Sequence, residues 1–296
     1  MPGEAMCDEL TAKDTEEYLK RNALTRREFN KRGAGAALAM LLPPVANAFD
    51  VVERDVMVET PDGMADCYFV HPASGKHAAV IVWPDIVSIR PAFRAMGKRL
   101  AESGYSVLVV NPYYRTHKGQ IVPDGKGFRD PGIRDLLMPH ARSLSPETCV
   151  TDGRAYVNWL DKQSSVDTGR KIGTTGYCMT GSYTMRLAAA MPDRIGAGGS
   201  FHGGGLATAE EDSPHLLAAQ MKAGFLIAIA ENDDERDPDA KVKLREAFDA
   251  AGVRAEIEVY AGAMHGWCPP DSAVYNQAQA ERAWSRMLDL FERELS

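Results

Sequence analysis

The chain has 296 residues, 45% of them hydrophobic and 25% charged, enough to bury a sizeable core in a single α/β domain. Forty-one acidic against 34 basic side chains give a net charge of −7, and no basic stripe interrupts that excess, which excludes nucleic acid as an expected partner. The five cysteines, at positions 7, 67, 149, 178 and 268, show no Cys-x-x-Cys spacing, and His265-x-x-Cys268 alone is too little for a metal, so a disulfide framework, a metal and a cofactor are all excluded as expectations.

In chain order, Arg26-Arg27 with Phe29 precedes a mildly apolar run over 33–42, then Pro43-Pro44 and Ala46-Asn47-Ala48. That order resembles a twin-arginine export signal ending in an A-x-A cleavage site, and the run is too short to span a bilayer. Residues 1–48 are therefore expected to be a signal, 49–296 the working domain, and the location periplasmic or secreted, with no stable membrane anchor. Strand-like runs over 51–58 and 64–70 flank Thr60-Pro61-Asp62-Gly63 and predict a β-hairpin. Continuous apolar runs over 78–84, 105–112 and 225–230 predict strands buried on both faces, interleaved with helices over 91–103, 146–163 and 239–251. Residues 255–260 alternate in period two, as an edge-ward strand does, and a long amphipathic helix over 274–294 closes the chain. Alternating strands and helices imply a doubly wound, mostly parallel sheet with an N-terminal β-hairpin, and no second domain or internal repeat is found. Residues 116–145 form one long insertion rich in Gly, Pro and charge, either a lid or a surface loop.

The most informative segment is Gly176-Tyr177-Cys178-Met179-Thr180-Gly181, between a strand over 171–175 and a helix over 182–191. Strand, tight glycine-flanked turn and helix is the layout of a nucleophile elbow, which lifts one strained residue above the sheet edge. Here that residue is Cys178, whose thiolate is favoured by the helix N-terminus behind it. Asp233 follows the strand over 225–230, with Asp234 as a neighbouring competitor, and His265 follows the last strand. Nucleophile, acid, histidine is the chain order of α/β-hydrolases. His202-Gly203-Gly204-Gly205 looks like an oxyanion motif, but it comes after the nucleophile instead of before it and is read as a loop glycine cluster.

With those residues in place, the sequence resembles the dienelactone hydrolase family of α/β-hydrolases, through Pro84-Asp85-Ile86, Asn111-Pro112-Tyr113-Tyr114-Arg115, Gly176-Tyr177-Cys178, Asp233 and His265-Gly266-Trp267. The resemblance implies an α/β-hydrolase fold and a Cys–His–Asp triad that opens a small ester or lactone through an acyl-enzyme. It implies an oxyanion hole from the backbone N–H groups of Ile86 and Met179, thiol activation by a carboxylate at Asp85, and a substrate carboxylate held by Arg115. Three departures stand out: Asp85 is one methylene shorter than the family's glutamate, Trp267-Cys268-Pro269-Pro270 replaces a second carboxylate-binding arginine, and Thr180 replaces a glycine and is expected to crowd the elbow. Two other readings fit the same residues: a catalytically silent binding module outside the cytoplasm, and an acyltransferase or thioesterase with the same triad.

Overall fold

The computed structural model describes residues 42–296, together with Asp14 and Glu17. Nearly all of the expected export signal lies outside the described residues. Among the described residues, eight strands form one sheet in the order β1-β2-β4-β3-β5-β6-β7-β8. The hairpin is β1 (Val51–Thr60) and β2 (Gly63–Pro72), antiparallel to each other, and β2 runs antiparallel to β4 (Ser106–Val110). From there the sheet is parallel through β3 (Ala79–Trp83), β5 (Ile172–Tyr177), β6 (Ile195–Phe201), β7 (Gly224–Ala230) and β8 (Ala255–Tyr260). The doubly wound sheet expected from the apolar runs is present, with β8 at one edge and the hairpin strand β1 at the other.

The strands are apolar on both faces because helices cover both. Ala79, Ile81 and Trp83 of β3 point into the core beneath α3 (Pro146–Leu160) and α4 (Gly181–Ala190), together with α6 (Ala240–Ala251). Val80 and Val82 point into the opposite core, beneath α1 (Pro91–Glu102) and α7 (Gln277–Glu294). α7 buries Ala283, Met287, Leu290 and Phe291, spacings of four, seven and eight that put all four on one stripe. α3 begins at a capping box, in which the Ser145 hydroxyl accepts from the Thr148 N–H and the Thr148 hydroxyl accepts from the Ser145 N–H.

Two elements depart from the sequence expectation. The insertion over 116–145 is not wholly irregular: it contains α2 (Ile133–Ala141), which starts at Gly132 in the left-handed region (φ 79°) and carries Pro139 in its last turn. A six-residue helix, α5 (Glu231–Arg236), follows β7 directly, so Asp233 sits in a helical first turn and not on a bare strand end. No helix among the described residues is long and apolar enough to cross a membrane.

Candidate active site

β5 carries the chain to Tyr177, whose ring stacks on Phe201 at 5.0 Å and meets Phe93 edge-on at 5.1 Å. The next residue, Cys178, has φ 57°, and a 3₁₀ turn over Cys178–Thr180 leads into α4. A non-glycine residue in that region stores about 1–3 kcal/mol of strain, which the surroundings must hold. Glycines make the holding possible. A Cβ on Gly176 would stand 2.1 Å from the Thr180 carbonyl oxygen, and one on Gly181 would stand 2.5 Å from the Gly203 Cα.

Thr180 does not crowd the elbow; it ties it down. Its hydroxyl accepts from the Tyr177 N–H at 2.9 Å and has the carbonyls of Trp83 and Pro84 at 2.9 and 3.0 Å to donate to. The extra bulk that a glycine would lack is thus turned into a fully buried link between the elbow and the loop after β3. That loop carries Ile86. Its N–H makes no hydrogen bond among the described residues, and the Met179 N–H lies in the first turn of the 3₁₀ segment, where intrahelical acceptors are lacking. Tyr113 holds the Ile86 carbonyl through a 2.9 Å hydrogen bond from its hydroxyl, while Asn111 accepts from both the Ser88 hydroxyl and the Tyr113 N–H.

His265 is placed from β8 and α5 together. Its backbone N–H donates to the Asn232 side-chain oxygen at 2.8 Å, and its Nδ1 lies 2.7 Å from Oδ2 of Asp233. Asp234, the competitor, is paired instead with Lys241 at 2.6 Å. His265 Nε2 has no hydrogen-bond partner among the described residues, and the Cys178 sulfur acts on the ring electrostatically. Burial alone would lower His265, but the negative charges of Asp233 and Cys178, with the hydrogen bond to Asp233, raise it well above the ordinary histidine range. The imidazolium is therefore favoured beside the sulfur. Cys178 and His265 are only 3% and 6% exposed, so the pair is screened from bulk water.

Asp85 is taken up by its own loop. Its Oδ1 accepts from the Val87 N–H and from Arg90, and its Oδ2 accepts from Arg90 as well. Arg90 turns its remaining edge to Asp271 at 2.6 and 3.0 Å, which clamps the loop of Ile86 to the loop that follows His265. Both oxygens of the side chain expected to activate Cys178 are thus engaged in positioning its own loop. Arg115 is likewise committed: Asp152 grips it at 2.8 and 2.7 Å, and Asp62 at 2.9 and 2.6 Å. Two carboxylates already neutralise the guanidinium expected to bind a substrate carboxylate.

The sequence expectation places His202 in a loop glycine cluster outside the chemistry. It is fully buried with φ 41°, its ring lies 5.1 Å from that of His265, and neither ring nitrogen has a hydrogen-bond partner among the described residues. Burial, with His265 beside it, pushes it well below the ordinary histidine range, so it packs as a neutral ring. The glycine cluster after it was visible, but nothing local in the sequence says that β6 delivers it against His265. Cys268, three residues past His265, is a free thiol in the core on the α7 side, whereas Cys178 belongs to the apolar cluster beneath α2. Among the described residues no group of three His, Cys, Asp or Glu side chains could hold a metal.

A model of the dienelactone hydrolase family matches residues 65–295. A carboxymethylenebutenolidase of Rhodococcus opacus is 26% identical over 235 residues, 77% of this chain and 86% of its own. Two solved structures share the fold: a dienelactone hydrolase-like promiscuous phosphotriesterase from metagenomic libraries, and a dienelactone hydrolase from Anabaena variabilis. The first has a TM-score of 0.67 at 18% identity over 83% of this chain and 99% of its own. The second has a TM-score of 0.59 at 15% identity over the same shares.

Proposed function

The chain belongs to the dienelactone hydrolase family of α/β-hydrolases and is a carboxylic-ester or lactone hydrolase; from that premise we propose that it works through a cysteine nucleophile and an acyl-enzyme. The Cys178 sulfur attacks the substrate carbonyl carbon, and the carbonyl π electrons move to oxygen, where the N–H groups of Ile86 and Met179 receive the charge. Collapse of that oxyanion breaks the ester C–O bond, and His265 gives its proton to the departing alkoxide. A water, deprotonated by His265, then attacks the thioester and returns Cys178 as thiolate. Asp233 fixes the tautomer and orientation of His265 throughout.

The observation that carries this reading is the line Asp233–His265–Cys178 at the carboxyl edge of the parallel sheet, ending in a sulfur on a strained elbow. It is tested by turnover of small aryl esters and lactones with the wild type and Cys178→Ala, where equal turnover by the two would end it. The apolar cover over Cys178 favours one second reading, transfer of the acyl group to an alcohol instead of water. Partition of an acyl donor between water and added alcohols separates the two. The twin-arginine-like segment supports export, which cell fractionation tests.

A further inference from the structure

Resting on the cysteine reading above, we infer that the acyl pocket of this enzyme takes neutral, apolar acyl groups and disfavours substrates that carry a carboxylate. Cys178 and Met179 form one contiguous apolar cluster with Ile86 and Val87 of the loop after β3 and with Ile133, Leu137 and Met138 of α2. Ile121 and Phe128, from the same insertion, pack against that cluster. The insertion over 116–145 is therefore a cover whose inner side is apolar where it meets the nucleophile. Its cations lie outward: Lys126, Arg129, Arg134 and Arg142 are all exposed.

The charges nearest the site point the same way. Arg90 commits every N–H it has, to Asp85, Asp271 and the Ser88 carbonyl. Arg115 is held by Asp62 and Asp152. A substrate carboxylate would have to displace a protein carboxylate from one of these pairs, in a neighbourhood where Asp233 adds further negative charge. An alkyl chain, by contrast, replaces side chains of its own kind when α2 moves aside. A nine-residue helix has little stability of its own, so what seats α2 is this apolar face, and an apolar acyl chain can take over its contacts.

The experiment measures kcat/KM for the p-nitrophenyl esters of acetate, butanoate and hexanoate and for p-nitrophenyl hemisuccinate. The pocket predicts a rise of about threefold to fourfold per methylene, the burial of one CH2 each time, and hemisuccinate at least about tenfold below butanoate. Hemisuccinate equal to or better than butanoate overturns the inference. A second arm needs no turnover. Hexyl methanethiosulfonate and its anionic sulfonatoethyl counterpart each form a mixed disulfide with Cys178 and release methanesulfinate, followed by mass spectrometry against Cys178→Ala. The hexyl reagent is expected to react at least tenfold faster relative to a free thiol, and the reverse order overturns the pocket whether or not any ester is hydrolysed. Full ester turnover by Cys178→Ala would instead remove the nucleophile reading, while the reagent order still judges the pocket.

Discussion

Oδ2 of Asp233 lies 2.7 Å from Nδ1 of His265, which leaves Nε2 as the only ring nitrogen free to serve Cys178. The carboxylate does two things from that position: it sets which nitrogen faces the sulfur, and its charge helps hold the ring as imidazolium against the cost of burial. A change at Asp233 therefore alters both the rate and its dependence on pH.

Asp233→Asn is expected to lower kcat by about 10²–10⁴-fold, the range of one general acid–base contribution. It should also shift the profile. His265 is raised in part by Asp233, so without that charge the imidazolium gives up its proton at lower pH, and the alkaline limb of kcat/KM moves down. A pH profile of both proteins reads this directly, and an unmoved alkaline limb contradicts it.

His202 makes a separate statement about acid stability. Its folded value lies well below the ordinary 6.5, so the unfolded chain takes up a proton near that pH that the folded chain refuses. Stability is thus fully present above 6.5 and falls as pH drops through it. His265 runs the other way: being raised, its contribution is full below 6.5 and is lost as pH rises through its folded value. His202→Asn, a residue that tolerates positive φ and does not titrate, should flatten the loss of urea midpoint between about pH 7.5 and 5.5. An unchanged loss would count against the buried neutral ring.

Gly176→Ala puts a methyl 2.1 Å from the backbone oxygen of Thr180, which cannot swing aside as a side chain can. We expect a loss of about 3 kcal/mol or more in unfolding free energy, at the upper end for overpacking, and loss of esterase activity with it. Denaturant titration and an ester assay report both. Near-native values would mean that the elbow is looser than described.

Arg115→Met removes the cation that, among the described residues, pairs with Asp152, whose side chain is 2% exposed. Stripping one partner from such a pair costs about 3–5 kcal/mol, so the variant should be clearly destabilised. Its ratio of kcat/KM for hemisuccinate and butanoate esters should stay at the wild-type value. A selective loss of the acidic ester would return Arg115 to the role of substrate anchor.

How much of this was legible in the sequence depended on range. The runs that became β3, β4 and β7 are apolar at nearly every position, Ser106 excepted, because both faces are covered, so they read as buried strands without any tertiary knowledge. Cys178, Asp233 and His265 were legible because each follows a recognisable strand, and a parallel sheet brings strand ends to one edge. α5 was not, since Glu231–Arg236 is too short and too acidic to show an apolar period. α2 was masked by Gly132 and Pro139. The Arg90–Asp271 clamp joins residues 181 positions apart, and the approach of His202 to His265 depends on where β6 and β8 end; neither leaves a local trace.

Acylation of Cys178 is the step on which the mechanism stands. The direct measurement is mass spectrometry of the protein quenched in acid during turnover of p-nitrophenyl butanoate, with peptide mapping. A butanoyl group is expected on the peptide containing Cys178, discharged on further incubation and absent in Cys178→Ala. Turnover with an unmodified Cys178, or an acyl group on another residue with Cys178→Ala still active, would contradict it.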